Sequence, residues 1–457
     1  MRSKLVIKPC PDNRDESINL PNREGENMNS KLQTLQGMHD RLPDNMKKRQ
    51  WVIQRITSVF EKYGFEPMET PAIEYWEILS GKDVYGDEEK LIYKFQDRGR
   101  RDVGMRFDFT VPLARVVSSY PDITMPFKRY QIQTVWRCDK PQYGRFREFY
   151  QCDVDIVGTE SVIAEAELIM VASEIFEAIG FKKFMTKINS RRLLQTICEY
   201  SGVDKSKEFE LFRAMDKRDR IGIDGVKENF EVLGLSKETK EKIISSLGQP
   251  IAQLEKLLPN KEGIAQVRTL FSHLENLGCN MKHIMFDPWL SRGFDYYTGP
   301  IFETIIEGTK VGSVAGGGRY DNLIGKFNDK DIPAVGISIG LERVLMVMDK
   351  LDMNPKFASP VKFLVTLFDA PTTKYALQVA KDIRNSGVGV EVYPEAIKIG
   401  KQFKYASRKK IPFVVIAGPD ELKTHSVAIK DMKSGTQEVI KLAKLNIWLQ
   451  KKLEIRK

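Results

Sequence analysis

The sequence predicts an α+β protein: an antiparallel-sheet body with a helical insertion, then a separate C-terminal α/β domain. Three observations carry this expectation. Residues 134–158, TVWRCDKPQYGRFREFYQCDVDIVG, read as two β-rich arms around a turn containing Pro141 and Gly144. Residues of about 191–280 turn helical and charged, with breaks near Gly202, Gly222–Gly225, Gly234 and Gly248–Pro250, before strand character returns. From Val361 onward, strand and helix patterns alternate, as in a small α/β domain with a mainly parallel sheet. The composition changes near Pro355–Pro360, so the expected division is 1–31 (a disordered extension), 32–355 (the body) and 361–457 (the tail domain).

The length of 457 residues allows two or three full cores, and the 42% hydrophobic and 29% charged fractions are those of an ordinary soluble protein. No apolar run approaches the roughly 20 residues of a membrane helix, so no membrane partner is expected. Cys10, Cys138, Cys152, Cys198 and Cys279 form no CxxC pair and are odd in number, and His39, His273, His283 and His425 are dispersed. A disulfide framework and a protein-held metal are therefore not expected, and reduced thiols suit a cytoplasmic setting. The net charge of +10 is unevenly placed: residues 361–457 hold 19 Lys+Arg against 9 Asp+Glu, whereas residues 1–360 balance at 53 of each. A neutral body with a basic tail points to a polyanion held at one end, nucleic acid first.

Taken in order, residues 1–30 are polar, with few apolar residues and many of Asp, Glu, Asn and Arg, and lack a secretory or mitochondrial targeting pattern. Asp44 is the expected N-cap of a helix running to Tyr63, with Ile53, Ile56, Phe60 and Tyr63 at helical spacing and Gly64 as the stop. FEPMETPAIEY follows as an extended piece, confined by Pro67 and Pro71 to an edge or an interface. LIYKF, DRGRR and VGMRFDFTVP read as a second hairpin, placing Asp108 and Thr110 on one strand face, where a carboxylate beside a hydroxyl can hold an ammonium group. Ser161 to Ile179 is an amphipathic helix ended by Gly180. After the insertion, strand character is expected over SRGFDYYTG (residues 291–299) and VGSVAGGGRYDNLIG (residues 311–325). PAVGISIGLERVLMVMDKL then reads as a strand running straight into a helix. In the tail, helices are expected at Thr373–Asn385, around Lys401–Lys410 and from near Glu438, with strands at Val361–Phe368, Val388–Tyr393, Pro412–Ala417 and Ser426–Asp431.

The chemistry-bearing residues concentrate in a few blocks. The long hairpin carries Arg137, Arg145 and Arg147 among Asp139 and Glu148, with Gln151 and Asp155 on its second arm. Guanidinium forks suit phosphate or carboxylate oxygens, although a surface hairpin laced with cross-strand ion pairs reads the same way. Arg292, Tyr296 and Tyr297 sit in SRGFDYYTG, and a triple glycine precedes Arg319 and Tyr320 without the GK[ST] of a phosphate loop. Arg343 falls in the first turn of a helix, where an arginine and a helix N-terminus together favour an anion.

Together these blocks resemble a class II aminoacyl-tRNA synthetase, and within that class the histidyl-tRNA synthetase family. The long hairpin looks like the class's motif 2, GISIGLERV like motif 3, and the first helix with the Pro71 strand like motif 1. SRGFDYYTG and AGGGRYDNLI are similar to the family's two histidine signatures, DFTVPLAR and FYQCDVDIVG to its eukaryotic-type form, and the tail to its anticodon-binding domain. The resemblance implies ATP-dependent formation of histidyl-adenylate from L-histidine, then transfer to tRNA(His), in a cytoplasmic homodimer. It implies catalytic roles for Arg137 and Arg292 and ATP contacts for Arg137, Arg145 and Arg343, with Mg²⁺ bridging the phosphates. It implies histidine contacts for Asp108, Thr110, Gln151, Asp155, Tyr296, Tyr297 and Tyr320, the imidazole lying between Asp155 as acceptor and the Tyr297 hydroxyl as donor. The family more often carries Glu where this chain has Asp108, Asp139 and Asp155, a difference in reach of about 1.5 Å.

Overall fold

The computed structural model describes residues 32–80, 84–292, 294–328, 330–355 and 359–453, so the expectation for residues 1–31 lies outside the described residues. Two compact units are present, residues 1–354 and 355–457. Unit one begins with α1 (Pro43–Lys62), β1 (Glu66–Pro67), β2 (Ile73–Tyr75), α2 (Trp76–Ser80), β3 (Lys94–Gln96), β4 (Asp102–Met105) and α3 (Thr110–Ser119). The long hairpin is β5 (Phe127–Trp136) and β6 (Glu148–Val157), followed by α4 (Ile163–Ile179) and β7 (Phe184–Ser190). The insertion comprises α5 (Arg191–Ser201), α6 (Glu208–Asp216), α7 (Arg218–Val232), α8 (Lys237–Leu247), α9 (Ile251–Leu257) and α10 (Glu262–Asn276). Closing the unit are β8 (Ile284–Phe286), β9 (Pro300–Ile306), β10 (Ser313–Arg319), β11 (Ala334–Gly340) and α11 (Leu341–Lys350).

The main sheet has the order β1-β5-β6-β11-β10-β9-β7-β8. Its six central strands pair antiparallel, and a parallel strand flanks each edge: β1 on β5 and β8 on β7. Strand alternation decides what each face carries. On β6, Cys152, Val154 and Ile156 enter a core with α1, α4, α10 and α11, contributed by Ile56, Ile169, Leu270 and Val344 among others. The opposite face of the same strand presents Gln151, Asp153 and Asp155, all buried. The helical cover is pinned by a buried ion pair, Arg49 Nη2 to Glu342 Oε1 at 2.9 Å, and the second Glu342 oxygen accepts from the Tyr150 N–H at 3.0 Å.

Four expectations in this unit and the tail need correction. The cap of α1 is Leu42, with Pro43 first inside the helix and Asp44 in its first turn, so the fixed φ of proline starts the helix rather than a carboxylate cap. VGMRFDFTVP is not one strand: β4 stops at Met105, and Thr110 opens α3. Asp108 accepts from the backbone N–H groups of Thr110 (3.1 Å) and Val111 (3.4 Å), satisfying donors at the helix start, so Asp108 and Thr110 meet across a turn instead of along a strand. In SRGFDYYTG, residues 291–292 and 294–299 are irregular, and strand begins only at Pro300.

The tail unit has β12 (Val361–Val365), α12 (Ala370–Asn385), β13 (Gly389–Val392), α13 (Ile399–Arg408), β14 (Phe413–Ile416), α14 (Pro419–Lys423), β15 (Ser426–Asp431), β16 (Gln437–Lys441) and α15 (Leu445–Leu453). Asp369 caps α12, its carboxylate accepting from Thr372 N at 2.9 Å. The fourth correction is here. The sheet, ordered β13-β12-β14-β15-β16, is mixed, because β15 and β16 pair antiparallel. The segment from Gln437 is thus a strand, and the last helix starts at Leu445.

Candidate active site

One cleft in the first unit is lined by Asp108, Thr110, Arg137, Arg145, Gln151, Asp155, Arg292, Tyr296, Tyr297, Tyr320 and Arg343. The structure thus brings together the catalytic, ATP and histidine contacts that the resemblance implies, whereas Arg147, Glu148 and Arg319 do not line the cleft. The side chains divide into a cationic end and an acidic end.

At the cationic end, Arg137 follows β5. Its Nε donates to the Phe107 carbonyl at 3.1 Å, and its guanidinium lies 4.2 Å from the Phe107 ring centroid and 5.2 Å from that of Phe149. Such clamping fixes the plane of the fork. Arg145 reaches across the hairpin turn to Asp139 at 3.3 Å. Arg343, in the first turn of α11, donates to the Ser313 carbonyl at 2.7 Å. Burial lowers the pKa of Arg343, and the like charges of Arg145, Arg137 and Arg292 lower it further. Arginine stays ionised under such pressure, so the crowded guanidiniums make this end suited to an anion.

Arg292 has a left-handed backbone (φ 60°) on the irregular segment before β9. Its Nη1 meets Glu303 Oε1 at 3.1 Å, and its buried Nε has no hydrogen-bond partner. Burial opposes its charge, but Tyr297, Glu303 and Asp216 outweigh burial and raise its pKa. The segment is held by the insertion: Arg191, at the start of α5, donates from Nη2 to the carbonyls of Arg292 (3.1 Å) and Phe294 (2.9 Å), and the Ser291 hydroxyl donates to the Phe212 carbonyl.

At the acidic end, Asp108, Asp153 and Asp155 are all buried. One Asp108 oxygen accepts from the Tyr85 hydroxyl at 2.9 Å, while Oδ2 is buried without a partner. Gln151 donates from Nε2 to the Ser338 hydroxyl at 2.7 Å, leaving Oε1 buried and unpartnered. Asp155 Oδ2 lies 2.7 Å from Arg129 Nη2, and the Tyr320 hydroxyl donates to Oδ1. The Arg129 contact is an ion pair without hydrogen-bond geometry. Burial raises the pKa of Asp108, held back by Arg137, and that of Asp155, held back by Arg129 and Tyr320. Asp153 is pushed up to about 8, first by burial and then by the neighbouring Asp155 charge, against the pull of Arg129. Tyr296 stacks on Phe294 at 5.2 Å and stands edge-on to Tyr320 at 6.0 Å, forming an aromatic wall beside these acids.

Glycines make the floor. A Cβ at Gly317 would sit 2.0 Å from the Gly336 carbonyl oxygen, one at Gly318 2.8 Å from Tyr297 Cδ1, and one at Gly336 1.9 Å from Asp155 Oδ1. The triple glycine lies inside β10 and lets that strand and β11 approach the side chains of the cleft.

Sequence reasoning missed Arg129, Asp153, Tyr85, Glu303 and Arg191. A signal existed for two of them. Closing the hairpin sets Arg129 opposite Asp155, and Asp153 shares a strand face with Gln151 and Asp155. Tyr85 and Arg191 come from segments whose contacts no local pattern announces.

The sequence model described as Histidyl-tRNA synthetase matches residues 37–344, and that described as Anticodon binding domain matches residues 362–452. The chain belongs to the histidyl-tRNA synthetase family. The Histidine--tRNA ligase of Cytophaga hutchinsonii is 40% identical over 435 residues, covering 88% of this chain and 95% of its own. That of Aeropyrum pernix is 40% identical over 418 residues, covering 89% and 95%. A crystal structure of histidyl-tRNA synthetase from Nostoc sp. superposes with a TM-score of 0.78 at 31% identity, covering 92% of this chain and 99% of that one. These relatives are bacterial and archaeal and lend no support to the narrower eukaryotic-type assignment.

Proposed function

We propose that the protein is a histidine–tRNA ligase, which activates L-histidine with ATP and passes the acyl group to the 3′ end of tRNA(His), releasing AMP and pyrophosphate. The observation that carries this reading is the polarity of the cleft: clamped arginines at one end, buried unpartnered acceptors at the other.

Attack of a carboxylate on the α-phosphate brings two anions together, so the reaction needs positive charge fixed in advance more than a covalent catalyst. Arg137 and Arg292 meet the reacting carboxylate and α-phosphate, and Arg145 and Arg343 hold the outer phosphates. Asp108 Oδ2 and Gln151 Oε1 take the α-ammonium, which supplies the donors these buried atoms lack; an unmade hydrogen bond at such an atom costs about 1–3 kcal/mol. Thr110 lines this pocket beside Asp108. The imidazole lies between Asp155 and the Tyr297 hydroxyl, with Tyr296 as wall and Tyr320 steadying Asp155. A pocket of this kind rejects apolar side chains, because its polar groups would be left unpaired.

Among the described residues no three His, Cys, Asp or Glu side chains converge as metal ligands. Magnesium would reach the site with the triphosphate, whose charge it would help to neutralise. The tail unit takes the anticodon arm, supported by the exposed basic face of α13, which carries Lys401, Lys404 and Arg408. A homodimer is part of the reading, supported by Ile73 and Tyr75 at 48% and 52% exposure on β2. No helix among the described residues is long and apolar enough to cross a membrane.

The test is ATP–pyrophosphate exchange with each amino acid offered separately. Exchange with histidine alone is expected. Exchange with proline or threonine instead would overturn the pocket assignment, and none with any amino acid from folded protein would mean a catalytically silent member of the family.

A further inference from the structure

We propose that Arg129 is a positioning residue whose guanidinium neutralises Asp155 and thereby commits the pocket to histidine with an uncharged imidazole. The inference rests on the histidine-binding reading above and adds to it a rule for which form of the amino acid is bound.

The geometry comes first. Arg129 and Asp155 are cross-strand partners of β5 and β6, so their closeness is built into the sheet and does not depend on a mobile side chain. Arg129 is wholly excluded from solvent and Asp155 is 4% exposed. Nη2 stands 2.7 Å from Oδ2. The other Asp155 oxygen receives the Tyr320 hydroxyl. Gly336 admits no side chain between β11 and the carboxylate, so Asp155 has little room to swing away from its partner.

Charge counting then decides the ligand. From β6 the group beside Asp155 is Asp153; from the turn into α3 it is Asp108; after β10 it is Tyr320; before β9 come Tyr296 and Tyr297; β11 contributes the uncharged Ser338; and β5 supplies Arg129. Arg129 offsets the Asp155 charge at close range and Arg137 offsets that of Asp108, while burial favours the proton on Asp153. The Asp155–Arg129 pair therefore offers an imidazole ring beside it no net negative charge. An imidazolium would add an uncompensated charge in a region with almost no water, where isolated charge is costly. Were Arg129 absent, an Asp155 carboxylate beside the ring would favour the protonated imidazole, because an opposite charge in contact raises the ring pKa.

The measurement is the pH profile of the histidine KM in pyrophosphate exchange at saturating ATP, from about pH 5.5 to about pH 8.5, spanning the ordinary imidazole pKa of about 6.5. It is made on the wild-type protein and on Arg129→Lys and Arg129→Gln, with kcat recorded alongside. A histidine analogue with a triazole ring, uncharged over this range, is the second substrate. For the wild type, KM for histidine is expected to rise toward tenfold per pH unit below the imidazole pKa, while KM for the triazole analogue stays flat. Arg129→Lys keeps the wild-type profile. Arg129→Gln loses or reverses the acid-side rise for histidine and uses the triazole analogue at least tenfold less well. A merely structural role for Arg129 would change kcat or stability and leave these profiles alone.

A wild-type histidine KM that stays flat to about pH 5.5 overturns the inference, as does a folded Arg129→Gln protein with the wild-type profile. Should Arg129→Gln fail to fold, the wild-type and Arg129→Lys profiles still decide. A wild-type protein that shows no exchange with histidine at any pH sinks the underlying reading instead, and so separates the two failures.

Discussion

At one end of the cleft, arginines reach in from a hairpin turn, a helix start and an irregular segment, and Arg145 keeps 43% of its side chain in solvent. At the other, Arg129, Asp153 and Asp155 are rooted in paired strands and at most 5% exposed. The first end crowds like charges together, Arg343 facing Arg145, Arg137 and Arg292. The second loses hydration and responds by shifting protons and leaving acceptors unpartnered. On the proposed reading, one end contributes mostly to rate, through charge met in the transition state. The other contributes mostly to selection, through groups that only one side chain can satisfy.

The largest expected effect tests the rate half. Arg137→Lys and Arg292→Lys each keep a positive charge but lose the planar fork. Histidine-dependent pyrophosphate exchange is expected to fall about 10²–10³-fold in kcat for each, with the histidine KM changed far less. If either variant instead raises KM and spares kcat, that arginine belongs to the selecting end and the division fails.

How much of this was legible in the sequence follows the same division. Arg137, Arg145 and Arg343 could be read because a turn and a helix start announce themselves through Pro141, Gly144 and the strand-to-helix change at Gly340. The acidic end depends on register, and register is a tertiary fact. Arg129 looks like one more basic residue in FKRYQIQTVW until the hairpin is closed residue by residue. Asp108 was legible as a residue but not in its setting. α3 is short, apolar and mostly buried, so its periodicity resembles that of a buried strand, and only Pro112 near its start hints otherwise. In the tail, Gln437–Lys441 was mistaken for a helix start because its outer strand is largely exposed and carries no apolar stripe.

A second, smaller effect asks whether the two ends are separable. In Gly336→Ala, the added Cβ would fall 1.9 Å from Asp155 Oδ1, so the carboxylate or the strand must shift. The histidine KM is expected to rise about 10–100-fold, with the ATP KM within about threefold of wild type, since a buried hydrogen-bonded contact is worth a few kcal/mol. Equal losses for both substrates would show that β11 transmits strain across the whole cleft and that the ends work as one unit.

The smallest effect concerns the proton that burial leaves on Asp153. Its folded pKa of about 8 stands above the ordinary 3.8, with burial the first cause and the Asp155 charge an added one. A raised folded pKa means that the folded state retains a proton that the unfolded chain releases. This contribution to stability is therefore complete below about pH 4 and is lost progressively as pH rises toward about 8, at no more than about 1.4 kcal/mol per unit. Asp153→Asn removes the linkage while keeping size and polarity. Its Tm relative to wild type is expected to climb between pH 5 and pH 8, by on the order of 1–2 °C per unit, and to level off above. The histidine KM should change little at neutral pH, where both side chains are uncharged. A Tm difference that is constant across that window would mean Asp153 ionises as it would in water, and the acidic end would then hold one more negative charge than the neutral-imidazole balance allows.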